Sequence, residues 1–216
     1  MISINHLSMV YPPDVTALDD ISLEIKPGQF IALQGPSGSG KTTLLNTLSG
    51  LVRPTSGNVE IHGTDLYQIN DAERSTFRAN TIGMIFQNFH LLPYLNVLEN
   101  ICLPSLAKDN KSESYISKAK QLIEQLELSH RVQHHPAKLS AGECQRVAFA
   151  RAIISEPKIL LADEPTGNLD NKNTAIILKQ LRQYADQGNT VIMVTHADTD
   201  AQQADRIINI SDGKLA

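Results

Sequence analysis

A chain of 216 residues with 41% apolar side chains is long enough to bury one large core without covalent staples. Two cysteines, Cys102 and Cys144, exclude a disulfide framework and a C-x-x-C motif, and they favour a reducing compartment. A net charge of −4 gives no general basic footprint, so no nucleic-acid partner is expected. No apolar run approaches the roughly 20 residues of a membrane span, so any membrane role must come through another protein.

The start, Ile2-Ser3-Ile4-Asn5-His6, lacks the basic and long apolar segments of a secretion signal, which predicts a cytosolic chain. Ile21, Leu23 and Ile25 then alternate with Ser22, Glu24 and Lys26, as Val59 and Ile61 do around Glu60. That period of two predicts antiparallel strands with one wet face, a β layer. Phe30 to Leu33, Ile159 to Ala162 and Val191 to Val194 are apolar throughout. Such runs predict parallel strands covered on both faces, hence a central sheet. Between Gln87 and about Pro157 strand signals vanish. Ile116, Ala119, Leu122, Ile123 and Leu126 recur there at helical spacing, predicting a helical insert.

Three motifs carry chemistry. Gly35-Pro36-Ser37-Gly38-Ser39-Gly40-Lys41-Thr42 fits the phosphate-loop pattern G-x-x-x-x-G-K-[ST], between an apolar strand and a helix whose apolar face is Leu44, Leu45 and Leu48. The glycines let backbone N–H groups turn toward phosphate oxygens. Lys41 supplies a point charge and Thr42 a hydroxyl for Mg²⁺. The run Ile159 to Ala162 ends in Asp163 and Glu164, the first suited to the Mg²⁺ shell and the second to an attacking water. A third strand, ending at Thr195, delivers His196 on the same side, as a sensor of γ phosphate.

Leu139-Ser140-Ala141-Gly142-Glu143 is more discriminating. Ser140 can cap a helix with an apolar face through Val147, Ala150 and Ile154, and such an N-terminus is itself an anion site. A plain capping box explains Ser140 and Glu143 but gives no reason for Gly142. His130, His134 and His135 include an i, i+4 pair, but Pro136 beside them favours a loop of incidental histidines over a metal site.

With these motifs in order, the chain resembles the ABC-type ATPases over essentially its whole length. The resemblance rests on Tyr11 as adenine-stacking aromatic, Gly35 to Thr42 as Walker A, Gln87 as Q-loop and Leu139 to Glu143 as signature. It continues with Asp163-Glu164 as Walker B, Asn168-Leu169-Asp170 as D-loop and His196 as switch histidine. Phe86-Gln87-Asn88-Phe89-His90-Leu91-Leu92-Pro93 and the run Leu161 to Asp170 resemble the branch that includes the LolD and MacB types, with the FtsE type a close cousin.

The resemblance implies an α/β fold: residues 1–87 and 157–216 as a P-loop NTPase core with β layer, and 88–156 as a helical subdomain. It implies ATP and Mg²⁺ as cofactors. ATP is bound by Tyr11, Gly35 to Thr42 and Thr43; Thr42, Gln87 and Asp163 hold the metal; and Glu164, His196 and Gln87 are catalytic. It also implies a head-to-tail dimer in which Ser140, Ala141, Gly142 and Glu143 close over the partner chain's ATP. A membrane permease docks near Phe89 to Leu95, placing the chain at the cytoplasmic face of the inner membrane. Two residues depart from the pattern: Ala141 stands where glycine is usual and Cys144 where glutamine is common.

The expected activity is ATP hydrolysis coupled to export or lipoprotein release. An FtsE-type division module that moves no solute stays open as the alternative. Soluble DNA-repair ATPases of this superfamily separate their motifs by long coiled coils, and no heptads occur here. A scaffold that only binds nucleotide has no use for Glu164 and His196.

Overall fold

The structure is a computed structural model and describes residues 1–108 and 113–216. Among the described residues the strands form two sheets. In the first, β1 (Ile2–Tyr11), β2 (Val15–Ile25), β4 (Ser56–Ile61) and β5 (Thr64–Asp65) pair antiparallel in the order β2-β1-β4-β5. Ile21, Leu23 and Ile25 are buried while Ser22 and Glu24 are exposed, as the alternation predicts.

The second sheet runs β10-β9-β3-β8-β7-β6, from β3 (Phe30–Gln34), β6 (Ile82–Ile85), β7 (Ile159–Asp163), β8 (Thr190–Val194), β9 (Arg206–Ser211) and β10 (Lys214–Leu215). β10 is antiparallel to β9 and the other pairings are parallel. Its continuous apolar runs are buried on both faces. Ile31, Leu33, Ile159, Leu161, Ile192 and Val194 join one core with the β layer and α1 (Lys41–Leu48). The intervening Phe30, Ala32, Leu160, Ala162, Val191 and Met193 join a second core with the helices.

That second core is built by α3 (Val97–Cys102), α4 (Glu113–Gln125), α5 (Ala141–Ile153) and α6 (Asn171–Asp186). Ala119 and Ile123 on α4 and Leu126 just past its end are buried, but Leu122 is half-buried and Ile116 is 47% exposed. At about 100° per residue, Ile116 and Leu122 fall at the margin of the stripe that the other three centre. α2 (Asp71–Thr81) precedes β6, and α7 (Asp198–Ala201) follows β8. Among the described residues, reciprocal capping boxes start three helices: Asn70 with Glu73, Asn96 with Glu99, and Ser140 with Glu143.

Candidate functional site

β3, β8, β7 and β6 are adjacent and parallel, and each delivers a site residue just beyond its carboxyl end. The phosphate loop follows β3, His196 follows β8, Asp163 and Glu164 end β7, and Gln87 follows β6. This is the crevice where open α/β sheets bind ligands. Continuous burial explains the strands, and the abrupt change to glycine and polar residues explains where they stop.

In the loop, Gly35 and Gly40 answer to space, since a β carbon on either would overlap a carbonyl oxygen, that of Ile210 or Ala17. Gly38 has a φ of +79° and open space beside it. The loop curls round Lys41, whose Nζ donates to the carbonyl oxygens of Gly35 (2.9 Å) and Pro36 (2.7 Å). Burial lowers the Lys41 pKa, against the pull of Glu164 and Asp163. α1 starts at Lys41 and aims its N-terminus into a cavity of about 210 Å³ that Glu164 and His196 also line. Ser37, Gly38, Gly40, Thr42 and Thr43 complete its wall with Ala17.

The Thr42 hydroxyl donates to Asp163 Oδ1 at 3.2 Å, so the hydroxyl and carboxylate proposed for Mg²⁺ are already neighbours. Two hard oxygens beside a phosphate cradle fit that ion, which takes one or two protein ligands together with phosphate oxygens. Burial raises the Asp163 carboxyl and the Thr42 bond opposes it. Glu164 adopts a left-handed backbone, φ 44°, with its N–H on the Val194 carbonyl and its own carbonyl accepting from Gly167. Its carboxylate bridges two other motifs: Gln87 Nε2 donates to Oε2 at 2.7 Å, and His196 Nε2 lies 2.6 Å from Oε1. Asn168 of the D-loop ties in through Nδ2 to the Gln87 carbonyl, 3.2 Å. The Glu164 carboxylate is thus held from two sides on a left-handed backbone.

Ser140, Ala141 and Gly142 do not line this cavity. Ser140 and Ala141 are exposed at the N-terminus of α5, where Ser140 Oγ accepts from the Glu143 N–H and Glu143 Oε2 accepts from the Ser140 N–H. Glu143 also takes a bond from Arg131 Nε, 2.8 Å. Burial alone would raise its carboxyl, but the Ser140 N–H and Arg131 outweigh it and hold it at about 2. The capping box therefore exists, and Gly142 has a separate cause. A β carbon there would overlap the side chain of Asn173, in the first turn of α6. Cys144 is buried with its Sγ 3.9 Å from the Pro136 carbonyl, and burial raises its thiol, the setting of an unreactive cysteine.

Asp170 caps α6 through the Asn173 N–H. Tyr11 stands at the exposed end of β1, paired with Val15 and outside the lining of the phosphate cavity. Phe89 to Leu95 form a loop whose Tyr94 is 70% exposed. The loop is pinned from within, because fully buried Asn100 bonds the Leu92 N–H and the carbonyls of Leu92, Leu95 and Asn96. Arg151, near the end of α5, donates to the carbonyls of Phe89 and His90. Asn100, Arg131, Arg151 and Asn173 escaped the sequence reading. Only Asn173 left a local trace, three residues after a helix-capping Asp170.

A glycine loop opening onto a strand-borne carboxylate and a histidine is the equipment of a P-loop nucleoside triphosphatase. Comparison with known proteins narrows the class. The pattern of the family described as ABC transporter matches residues 18–167. The lipoprotein-releasing system ATP-binding protein LolD 1 of Rhodopirellula baltica is 44% identical over 219 residues, covering 100% of this chain and 96% of that protein. The macrolide export ATP-binding/permease protein MacB of the same organism is 44% identical over 206 residues, covering 94% of this chain and 30% of that protein. A dimeric post-hydrolysis state of the ATP-binding cassette MJ0796, bound to ADP and Pi, matches with a TM-score of 0.93 and 37% identity over 100% of this chain and 96% of that one. The chain belongs to the ABC transporter family, as an ATP-hydrolysing motor subunit of the LolD and MacB type.

Proposed function

We propose that two copies of this chain close head to tail around two Mg·ATP, the signature of each completing the site built on the other's phosphate loop. The observation that carries this reading is a mismatch within one chain. An anion-binding helix start at Ser140 to Gly142 is separate from the cavity that holds Lys41, Glu164 and His196. The dimeric state of the cassette MJ0796 supports the pairing of two chains.

Within each site Lys41 and the loop N–H groups hold the β and γ phosphates, and Thr42 and Asp163, with Gln87, would hold Mg²⁺, which would supply charge neutralisation at the phosphate. Glu164 orients the attacking water as general base. Gln87 and His196 fix its carboxylate, and His196 also reads the γ phosphate. Tyr11 stacks on adenine from the end of β1.

Closure is transmitted to a separate membrane permease, so the chain works at the cytoplasmic face of the membrane. No helix among the described residues is long and apolar enough to cross a bilayer. Residues 88–156 act as the helical subdomain, and the permease docks at Phe89 to Leu95. Exposed Tyr94 supports that surface, and so does a neighbouring apolar cavity of about 290 Å³ lined by Phe86, His90 and Pro104. The names of the relatives favour lipoprotein release or export over a division role.

Mixed dimers test the shared site. Lys41→Ala in one chain and Ser140→Ala in the other place both lesions in one composite site and leave the second intact, so activity is expected to persist. Both lesions in one chain opposite an unmutated partner damage both sites. Matching rates for the two arrangements would refute the shared-site reading.

A further inference from the structure

We propose that Asn173 is a positioning residue that locks the signature helix and the D-loop of one chain into a single rigid unit, which sets how well that chain completes its partner's site. This inference rests on the shared-site reading above.

The side chain of Asn173 is used at both ends. Its Nδ2 donates to Asp170 Oδ2 at 2.9 Å, while Asp170 Oδ1 accepts from the Asn173 N–H at 2.8 Å. Its Oδ1 accepts from Arg146 Nη1, on α5, at 3.0 Å. The carboxamide lies against the first turn of α5 at the spot where Gly142 has no side chain, and a methyl group there would overlap it. One half-buried amide therefore touches the D-loop aspartate, the signature glycine and the signature helix.

The consequence is geometric. Ser140 to Gly142 and Asp170 both leave their own chain's catalytic cavity unlined and face the neighbour in the proposed dimer. Their mutual spacing must match a surface on the other subunit, and Asn173 fixes that spacing by two hydrogen bonds and one steric contact. Displacements of about an ångström in such positioning groups are enough to cost orders of magnitude in rate. The fold has less need of this side chain, because Asp170 caps α6 through the backbone N–H of residue 173, which any residue but proline provides.

The experiment uses the Glu164→Gln chain as parent, so that ATP is bound and not consumed. Two quantities are measured: ATP affinity of the isolated chain, and ATP-dependent dimerisation by light scattering. Adding Asn173→Ala is expected to leave ATP affinity within about twofold and weaken dimerisation by roughly tenfold or more. Asn173→Asp keeps the acceptor for Arg146 but sets a carboxylate against Asp170, so it is expected to fail like alanine. A parent that stays monomeric with ATP would overturn the shared-site reading and this inference with it. A parent that dimerises, with Asn173→Ala dimerising equally well, would overturn this inference alone. So would Asn173→Asp behaving as the parent, or a loss of ATP affinity that matches the loss of dimerisation, which would mark a general structural defect.

Discussion

The two helix starts proposed to bind phosphate are built to different degrees of completion. At α1 everything the phosphate needs is at hand: a curled loop, a lysine, a hydroxyl beside a carboxylate, and Glu164 held by two side chains. At α5 the helix is capped, braced by Arg131 and packed on Asn173, yet Ser140 and Ala141 face solvent with no catalytic group beside them. In the proposed dimer the first is a site and the second a tool for the site on the other chain. Lesions on the first are therefore expected to change nucleotide chemistry in the isolated chain, and lesions on the second to change that chemistry only when subunits meet.

The largest expected effect falls on the complete side. Glu164→Gln keeps the shape and loses the base, so ATP binding persists while turnover drops by a factor of order 10² to 10⁴. Steady-state hydrolysis that equals the parent's would remove Glu164 from catalysis. Next, Tyr94→Asp places a charge on the exposed tip of the pinned loop and touches neither helix start. Basal hydrolysis is expected to be nearly unchanged while the permease no longer co-purifies. Recovery of a coupled complex would move the docking surface elsewhere.

Tyr11→Ala sharpens the comparison within the complete side. It is expected to weaken nucleotide binding by roughly 1 to 3 kcal/mol, with Tyr11→Phe unaffected, because a stacked ring needs no hydroxyl. Unchanged affinity in the alanine variant would point to another adenine contact.

The last effect falls on stability rather than activity and belongs to the brace on the incomplete side. Glu143 is held at about 2, below its ordinary 4.5, so its contribution to stability is complete above pH 4.5 and is lost as pH falls toward 2. A Glu143→Gln chain is expected to melt lower than the parent at neutral pH, reflecting about 1.5 to 3 kcal/mol for hydrogen bonds to a charged group. The gap should close in acid. A gap independent of pH would mean that packing rather than charge makes the difference.

Legibility in the sequence follows the range of the forces involved. Strands buried on both faces announce themselves as unbroken apolar runs, and the phosphate loop, acid pair and switch histidine sit at fixed offsets from them, so the central sheet and the complete half of the site could be read directly. Short edge strands such as β6 and β10 could not, since two to four residues carry too little periodicity. The boxes at Asn70 and Asn96 obey a spacing rule, but no long apolar helix followed to draw attention to them. Gly142 was the instructive case. Its chemistry suggested a phosphate contact, and its packing partner lies 31 residues away, a relation that no local pattern encodes.

The helix α5 holds the signature at its first turn and, ten residues on, the guanidinium of Arg151 clasping the carbonyls of Phe89 and His90. An α-helix advances about 1.5 Å per residue, so these points are roughly 15 Å apart along a stiff rod. In the proposed complex, a membrane subunit that tugs the loop would pull one end of a strut whose other end reaches for the neighbour's nucleotide. Mechanical work and chemical timing would then travel along the same thirteen residues.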